Sequence, residues 1–236
     1  VPLERLKGRQ RIQAELFRKK AKHIDKNKVG NFLDSLWYPL CFLDFETFGA
    51  PSPVFDGTRP YRQIPFQYSL HIQTKEGGKL RHSEYLAQTG RDFRKELLQK
   101  LLNDIPSGAC IMAYNSQFEA RILNDLAEQF ARYKSQISMI VGDIKDLAAP
   151  FRSLDVCHYK MYGPYSLKAV LPALVPKMTY KNLSISDGGM AMDAYFRMTA
   201  SQDPREIKKI RKALLEYCTL DTLAMVKILE KLRELS

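Results

Sequence analysis

The chain has 236 residues, enough to bury one sizeable hydrophobic core. Its composition, 45% hydrophobic and 27% charged residues, is that of an ordinary globular protein. The sequence contains no run of about 18 uninterrupted apolar residues, which excludes a typical transmembrane helix. We therefore expect a protein with no membrane partner.

The first residue and the cysteines bear on two expectations: a longer polypeptide and a cellular compartment. It begins with Val1 and shows no signal-peptide pattern, so we expect a domain of a longer polypeptide, with an upstream domain as a candidate partner. Cys41, Cys110, Cys157 and Cys218 are widely spaced and form no C-x-x-C pair. We predict buried free thiols in a reducing compartment and hence a cytoplasmic location, with zinc binding as the alternative.

The net charge of +11 is concentrated at the start of the chain. Residues 1–30 contain ten Lys/Arg and three Asp/Glu, a net charge of +7, which leaves +4 for the rest. A basic helix with a thin apolar stripe is predicted over residues 3–23, within a basic helical N-terminal arm at 1–36. Such an arm suits a polyanion such as nucleic acid; a solvated helix leading to an upstream domain is the alternative.

Three strands are predicted after the arm. Asp25 is a candidate N-cap for a short helix, and an apolar run at 38–47 then predicts the first strand. A Gly- and Pro-rich loop at 49–60 leads to alternating residues at 66–72, typical of a half-buried strand. A tight turn precedes the third strand at 80–86. Short links between successive strands predict an antiparallel meander.

Helices dominate the rest of the chain. A buried strand is predicted at 108–114. Helices are predicted at 91–102, 117–130, 135–149 (closed by Pro150), 167–174, from Asp187 to Met198, and from Asp203 to Leu235. This order predicts an α/β domain at 37–236, with a mixed sheet of the meander plus parallel strands flanked by helices.

The first strand ends in two carboxylates with strand spacing. Successive side chains of a strand point to opposite faces, so Asp44 and Glu46 share one face. Their repulsion is relieved when a cation lies between them, and Mg²⁺ and Mn²⁺ prefer oxygen ligands. A strand that simply ends in solvated acids is the alternative.

Two later acids are candidate partners. Glu119 lies one turn into the helix that follows a buried strand, at the sheet edge where sites of such folds commonly lie. Ser116 and Glu119 also have capping-box spacing, which is the alternative role. Tyr217 and Asp221 share one face of the last helix, where a buried lone carboxylate is costly and a metal would relieve the cost. An exposed Asp221 at a helix kink is the alternative.

These residues carry a resemblance to a known superfamily. Asp44-Phe45-Glu46-Thr47, then Asn115-x-x-Phe118-Glu119, then Tyr217-x-x-x-Asp221, resemble the three exonuclease motifs of the tyrosine-bearing branch of the DEDD superfamily. Residues 57–70 and 166–172 are also similar to a little-characterised bacterial family of predicted exonuclease domains. The resemblance implies a ribonuclease H-like fold and 3′–5′ exonuclease activity on single-stranded DNA or RNA. The second motif departs from the superfamily, because Glu119 stands where Asp is usual.

The resemblance also implies a site with two Mg²⁺ or Mn²⁺ ions. Asp44 would bridge the ions, Glu46 and Asp221 would hold the one carrying the nucleophilic water, and Glu119 would serve the other. Tyr217 would orient the water, since a phenol that titrates near 10 is a poor base at neutral pH.

Further residues are candidate substrate contacts. They are Thr47, Asn115 and Phe118 of the motifs, Arg59 and Tyr61 of a basic–aromatic loop cluster with Arg62, and Lys168 at a helix start. The alternatives are a structural turn residue for Asn115, a packed loop for the Arg59, Tyr61 and Arg62 cluster, and a solvated lysine for Lys168. Two competing functions remain: a catalytically weakened nucleic-acid-binding module of the same fold, and a non-nuclease role in which the arm joins a partner protein.

Overall fold

A mixed sheet of five strands lies between two layers of helices. The structure is a computed structural model that describes residues 2–88 and 90–236, so residue 1 of the predicted arm lies outside the described residues. In chain order the elements are α1 (Gly8–Lys19), β1 (Lys22–Ile24), α2 (Lys26–Asp34), β2 (Leu40–Phe48), β3 (Ile64–Gln73), β4 (Leu80–Leu86), α3 (Arg94–Asp104), β5 (Cys110–Ala113), α4 (Gln117–Gln129), α5 (Lys134–Gly142), β6 (Ile144–Asp146), α6 (Ala149–Arg152), β7 (Val156–His158), α7 (Leu167–Leu174), α8 (Gly188–Ala200) and α9 (Pro204–Leu235).

The central strand of the sheet is β2. The strand order is β4-β3-β2-β5-β6, with β2, β3 and β4 antiparallel and β5 and β6 parallel to β2. The predicted meander, mixed sheet and flanking helices are therefore confirmed. Phe42 of β2 pairs with Met112 of β5, so the chain leaves β5 beside Asp44 and enters α4 at the same edge of the sheet.

The alternation along β2 divides the core into two layers. Leu40 and Phe42 belong to a cluster with side chains of α7, α8 and α9. Cys41, Leu43 and Phe45 point the other way and pack with α3, α4 and α5. Both faces of β2 are covered, which explains why the strand is a largely apolar run, interrupted by Asp44, Glu46 and Thr47.

The prediction that the second strand is half-buried is wrong. All ten residues of β3 are buried, because α9 covers one face and α3 the other. Its polar side chains meet partners on α9 instead of water. Ser69 Oγ and His71 Nδ1 each lie 2.7 Å from Thr222 Oγ1, and Gln67 Nε2 donates to the Leu214 carbonyl oxygen at 2.9 Å. These bonds fix the position and rotation of α9 against the sheet.

The predicted helix at 135–149 is also wrong. It is α5, then the edge strand β6, then α6, and Pro150 lies inside α6 rather than closing a helix. A three-residue strand is too short to display an alternating pattern, and proline is tolerated in the first turn of a helix. Parallel pairing with β5 selects the strand at this position.

The N-terminal arm is joined to the body of the domain. The basic helix predicted at 3–23 is shorter, because α1 ends at Lys19 and Lys20 adopts left-handed φ of 49°. β1 then pairs antiparallel with β7. The predicted cap is confirmed, since the Asp25 carboxylate accepts a bond from the Lys28 amide at 3.1 Å.

Two predictions from composition can be compared with the structure. The four cysteines are free and buried, as predicted. Over residues 2–88 and 90–236, none of the helices is both long enough and apolar enough to cross a membrane.

The hydrogen bonds between α9 and β3 predict that loss of the Thr222 hydroxyl lowers the free energy of unfolding. Thr222→Val keeps the side-chain shape but leaves Ser69 and His71 without their buried partner, so we expect a loss of about 1–3 kcal/mol in the free energy of unfolding. Thr219→Val is the control, because Thr219 is half-buried and water can replace its bond to Glu84. Urea denaturation measures both. Equal losses of stability in the two variants would contradict a stabilising role for the Thr222 hydrogen bonds.

Candidate metal centre

Two of the predicted acids lie on the face of β2 that is covered by α9. Glu46 is 6% exposed, and Asp44 keeps part of its surface accessible. One carboxylate oxygen of each, together with Cys218 Sγ, forms a group whose atoms all lie within 4.8 Å of one another. The predicted sharing of one face by the two acids is therefore observed, and they do not end in solvent.

The last helix brings a third acid and a tyrosine. Asp221 is 5% exposed and Tyr217, one turn earlier, is 3% exposed, so the alternative of an exposed Asp221 is excluded. Asp221 Oδ1 accepts a bond from the Tyr180 hydroxyl at 2.5 Å. Cys218, between them on α9, lies with its Sγ 3.6 Å from Asp44 Oδ2. Helix α9 therefore faces β2 through polar groups at this point.

The fourth acid comes from the other helical layer. Glu119 lies in the first turn of α4 and is 2% exposed. The Ser116 side chain makes no cap bond to the helix, so the reciprocal capping box is not formed. Within the described part of the chain, Glu119 Oε2 is buried and has no hydrogen-bond partner. A buried carboxylate oxygen without a partner is costly unless a ligand meets it.

The four acids influence one another electrostatically. Burial and then the Asp221 charge raise the pKa of Asp44 well above its usual value. Burial and then the charges of Asp44 and Asp221 do the same to the pKa of Glu46. Burial and then Asp44 raise the pKa of Glu119. Burial raises the pKa of Asp221 to about 6. The charge of Asp44 thus reaches Glu46 on its own strand and Glu119 across the sheet.

One ammonium group lies beside this cluster. Lys168 Nζ donates to the Tyr217 hydroxyl oxygen at 2.9 Å and lies 5.0 Å from the centre of the Tyr217 ring. Among the described residues it is the cation that lowers the pKa values of Asp44, Glu46 and Asp221. Its single positive charge cannot balance the acids around it when all are ionised.

The donor set fits divalent cations. Carboxylate oxygens are the ligands that Mg²⁺ and Mn²⁺ prefer, and the unpaired Glu119 oxygen gives the cluster free coordinating capacity. The buried Cys218 thiol adds a softer donor next to Asp44. Asp44 and Glu46, together with Cys218, could therefore hold a metal ion.

Helix α8 closes one side of the cluster. Its N-terminal residue Gly188 lies so near that a Cβ there would be 3.7 Å from Glu46 Oε2. The preceding residue, Asp187, caps α8 by accepting from the Met190 amide at 2.8 Å, and its charge contributes to the raised pKa of Glu46. Neither residue was a sequence candidate.

Sequence reasoning also missed Tyr180 and Cys218. Tyr180 lies in an irregular segment with no spacing relation to any motif. Cys218 does lie within the Tyr217-x-x-x-Asp221 segment, three residues before Asp221, and this helical spacing was a usable signal.

The three motif residues predicted to contact substrate differ in the exposure of their side chains. Thr47 Oγ1 donates to Gln63 Oε1 at 2.6 Å and is half-buried. Asn115 is exposed, with left-handed φ of 67°, and its amide donates to Asp146 Oδ1 at 2.9 Å. Phe118 is half-buried and packs on the core beneath the sheet. Asn115 is therefore the most accessible of the three.

The basic–aromatic loop cluster divides into two parts. Arg59 and Tyr61 are exposed, and Tyr61 has left-handed φ of 58°. Arg62 is paired with Asp125 and Glu128, each at 2.9 Å, and ties the loop to α4. The packed-loop alternative thus holds for Arg62, while Arg59 and Tyr61 stay available to a ligand.

Comparison with other proteins identifies a family. Residues 41–166 match the family described as Domain of unknown function (DUF2779), so the chain belongs to that family. No solved structure matches the chain.

Two curated proteins resemble most of the chain. Uncharacterized protein MG366 of Mycoplasma genitalium is 26% identical over 232 aligned positions, which cover 88% of this chain and 34% of the relative. Uncharacterized protein MG366 homolog of Mycoplasma pneumoniae is 26% identical over 225 positions, covering 85% of this chain and 33% of the relative. The chain spans about a third of the length of these relatives.

The raised pKa of Asp221 predicts how stability depends on pH in the absence of metal. The folded chain holds this proton up to about pH 6, whereas the carboxyl of the unfolded chain has its ordinary pKa of 3.8, so ionisation destabilises the fold as pH rises through that interval. Asp221→Asn keeps an acceptor for Tyr180 and removes the charge. We expect it to be more stable than the parent in EDTA by on the order of 2 kcal/mol at pH 7, with the difference vanishing near pH 4.

Denaturation at a series of pH values measures this difference. Asp193→Asn, on the exposed face of α8, is the control and should match the parent throughout. A stability difference between Asp221→Asn and the parent that is independent of pH would contradict a buried, repelled carboxylate.

Proposed function

We propose that the chain is a metal-dependent 3′–5′ exonuclease with a ribonuclease H-like fold, which hydrolyses phosphodiester bonds of single-stranded DNA or RNA. The proposal is supported chiefly by one observation: Glu119 Oε2 is buried without a partner among the described residues, and burial and then the charge of Asp44, which lies beside Glu46, raise the pKa of Glu119. Four acids that repel one another in a buried space are best explained by a cationic ligand. The motif resemblance supports the reaction class and its polarity.

The acids divide into two groups around Asp44. The charge of Asp221 contributes to the raised pKa of Asp44, and the charge of Asp44 contributes to the raised pKa of Glu119, so Asp44 is the acid we assign as the bridging ligand. Glu46 and Asp221, with Asp44, would hold one metal ion. Glu119, with Asp44, would hold a second. Mg²⁺ or Mn²⁺ ions held by these residues would stabilise the attacking and leaving oxygens of the phosphodiester when bound.

Tyr217 and Lys168 act together beside the acids. Burial and then the Asp221 charge raise the pKa of Tyr217 well above its usual value, so the phenol stays protonated at neutral pH. It therefore orients water by hydrogen bonding and does not remove a proton. Its oxygen accepts from Lys168, and that ammonium group is placed to attract the phosphate of a strand entering the site.

The geometry of the second motif supports activity despite its Glu. Glu119 is 2% exposed, burial and then the charge of Asp44 raise its pKa, and its Oε2 is buried without a partner among the described residues, so it remains available as a ligand. The competing function is a nucleic-acid-binding module that no longer cleaves. The two are separated by an assay that measures binding and cleavage in parallel.

Cleavage of labelled strands tests the proposal directly. We expect 5′-labelled single-stranded DNA or RNA to give a ladder of shortening products with Mg²⁺ or Mn²⁺ and none with EDTA. Asp44→Asn should abolish the ladder, because it removes the bridging carboxylate. The exposed Asp193→Asn should cleave at the parent rate. Binding by the parent without cleavage in either metal would favour the binding module, and equal cleavage by Asp44→Asn would refute the site.

The tyrosine has a separate expected effect. Tyr217→Phe removes the hydroxyl but keeps the ring that packs against Tyr180 at a centroid distance of 6.3 Å. We expect kcat to fall on the order of 100-fold with KM little changed, since the hydroxyl orients the reacting water rather than the strand. Steady-state kinetics in Mn²⁺ measure both constants. A rise in KM alone would assign Tyr217 to strand binding instead.

A further inference from the structure

Helix α1 lies against the domain without being buried in it. None of its twelve residues is buried. It touches the segment 159–167 through a few contacts: Gln13 Nε2 donates to the Gly163 carbonyl oxygen at 2.8 Å, and the Phe17 and Tyr162 rings are 5.9 Å apart. Helix α1 therefore leaves open space between itself and the rest of the domain.

Two cavities occupy this space. One, of about 580 Å³, lies between α1 and the segment 159–163 and is lined by Phe17, His158 and Tyr162. The other, of about 730 Å³, is lined by Arg9, Asn115, Tyr165 and Leu167, among others. Both are lined by Gln13 and Gly163, so they are neighbouring parts of one groove. We call this space the α1 groove.

Residues that line the groove are close in sequence to residues of the candidate metal centre. Its second cavity is lined by Asn115, which precedes α4 and Glu119, and by Leu167. The next residue, Lys168, bonds to Tyr217. A chain lying in the groove would therefore approach the acids from the side where Lys168 lies.

Aromatic rings and positive charge line the groove together. Tyr162 is 75% exposed, Phe17 is 52% exposed and Tyr165 is 37% exposed. The Arg9 guanidinium lies 5.9 Å from the centre of the Tyr165 ring. Exposed rings interleaved with arginine suit a single strand, whose bases stack on aromatic side chains while its phosphates meet cations. The net charge of +7 on residues 1–30 complements such a polyanion.

We infer that the α1 groove binds the single-stranded nucleic acid ahead of the acid cluster, with bases stacked on Phe17, Tyr162 and Tyr165 and a phosphate at Arg9. Arg9 and Phe17 are separated by about 12 Å along the helix axis, room for about three stacked nucleotides. The direction of the strand toward the acids rests on the proposed function; binding in the groove does not. An acidic peptide would use the charge but would not account for three exposed rings.

The test measures binding by the whole 236-residue chain in EDTA, where cleavage plays no part. Fluorescence anisotropy with a 5′-labelled 12-nucleotide DNA and RNA gives Kd at several salt concentrations. Arg9→Gln should weaken binding and reduce the slope of log Kd against log salt by about one. Arg11→Gln is the matched control, because Arg11 is on the same helix, lines neither cavity and is paired with Glu15 at 2.9 Å.

The aromatic ring is tested separately. Tyr162→Ala should raise Kd about 10-fold or more, whereas Tyr162→Phe keeps the stacking surface and should bind like the parent. Both variants place a non-glycine residue at the same left-handed φ of 57°, so backbone strain does not distinguish them. Equal loss in Arg9→Gln and Arg11→Gln, or normal binding by Tyr162→Ala, would overturn the inference. So would failure of the parent to bind either strand.

Cleavage separates this inference from the proposed function. If the groove is correct, its variants raise KM for the 12-nucleotide strand but leave cleavage of a dinucleotide unchanged. Parent cleavage with unaltered binding in the groove variants would refute the groove and leave the exonuclease intact. Binding lost on Arg9→Gln in a chain that never cleaves would support the groove and refute the exonuclease.

Discussion

Mutual repulsion of buried carboxylates is the constraint around which this domain is built. Asp44 and Glu46 project from the central strand into the layer covered by α9, where they lie beside Cys218, and the charge of Asp221 on that helix contributes to the raised pKa of both. Glu119 comes from the opposite layer. Desolvation and like charge both penalise the ionised cluster, and one lysine compensates only in part. A protein keeps such an arrangement when a cationic ligand recovers the cost, since structural stability alone favours apolar packing there.

The rest of the fold places these acids within reach of one another. Parallel pairing of β5 with β2 brings the start of α4, and hence Glu119, to the edge where Asp44 lies. The buried bonds between Thr222 and β3 set the rotation of α9, and Asp221 is the adjacent residue. Helix α8 begins beside Glu46 with Gly188, where a Cβ would make van der Waals contact with the carboxylate at 3.7 Å. Stability and site geometry therefore depend on the same packing of α9.

Local patterns in the sequence predict much of this. Strand alternation places Asp44 and Glu46 together, helical spacing pairs Tyr217 with Asp221, and caps such as Asp187 locate helix starts. The errors come from long-range contacts. Strand β6 is three residues long and exists because β5 pairs with it, and the polar face of β3 is buried because a helix 150 residues away supplies its partners. Tyr180 likewise reaches Asp221 only through tertiary folding.

The central claim is that Asp44, Glu46, Glu119 and Asp221 form one cation-binding centre. Crystals of the unmodified chain soaked in Mn²⁺, with data collected for anomalous scattering, test it most directly because they locate the ion and its ligands together. We expect two anomalous peaks about 3.5–4 Å apart, with Asp44 oxygens next to both. Strong peaks at surface carboxylates, with none among these four acids, would contradict it.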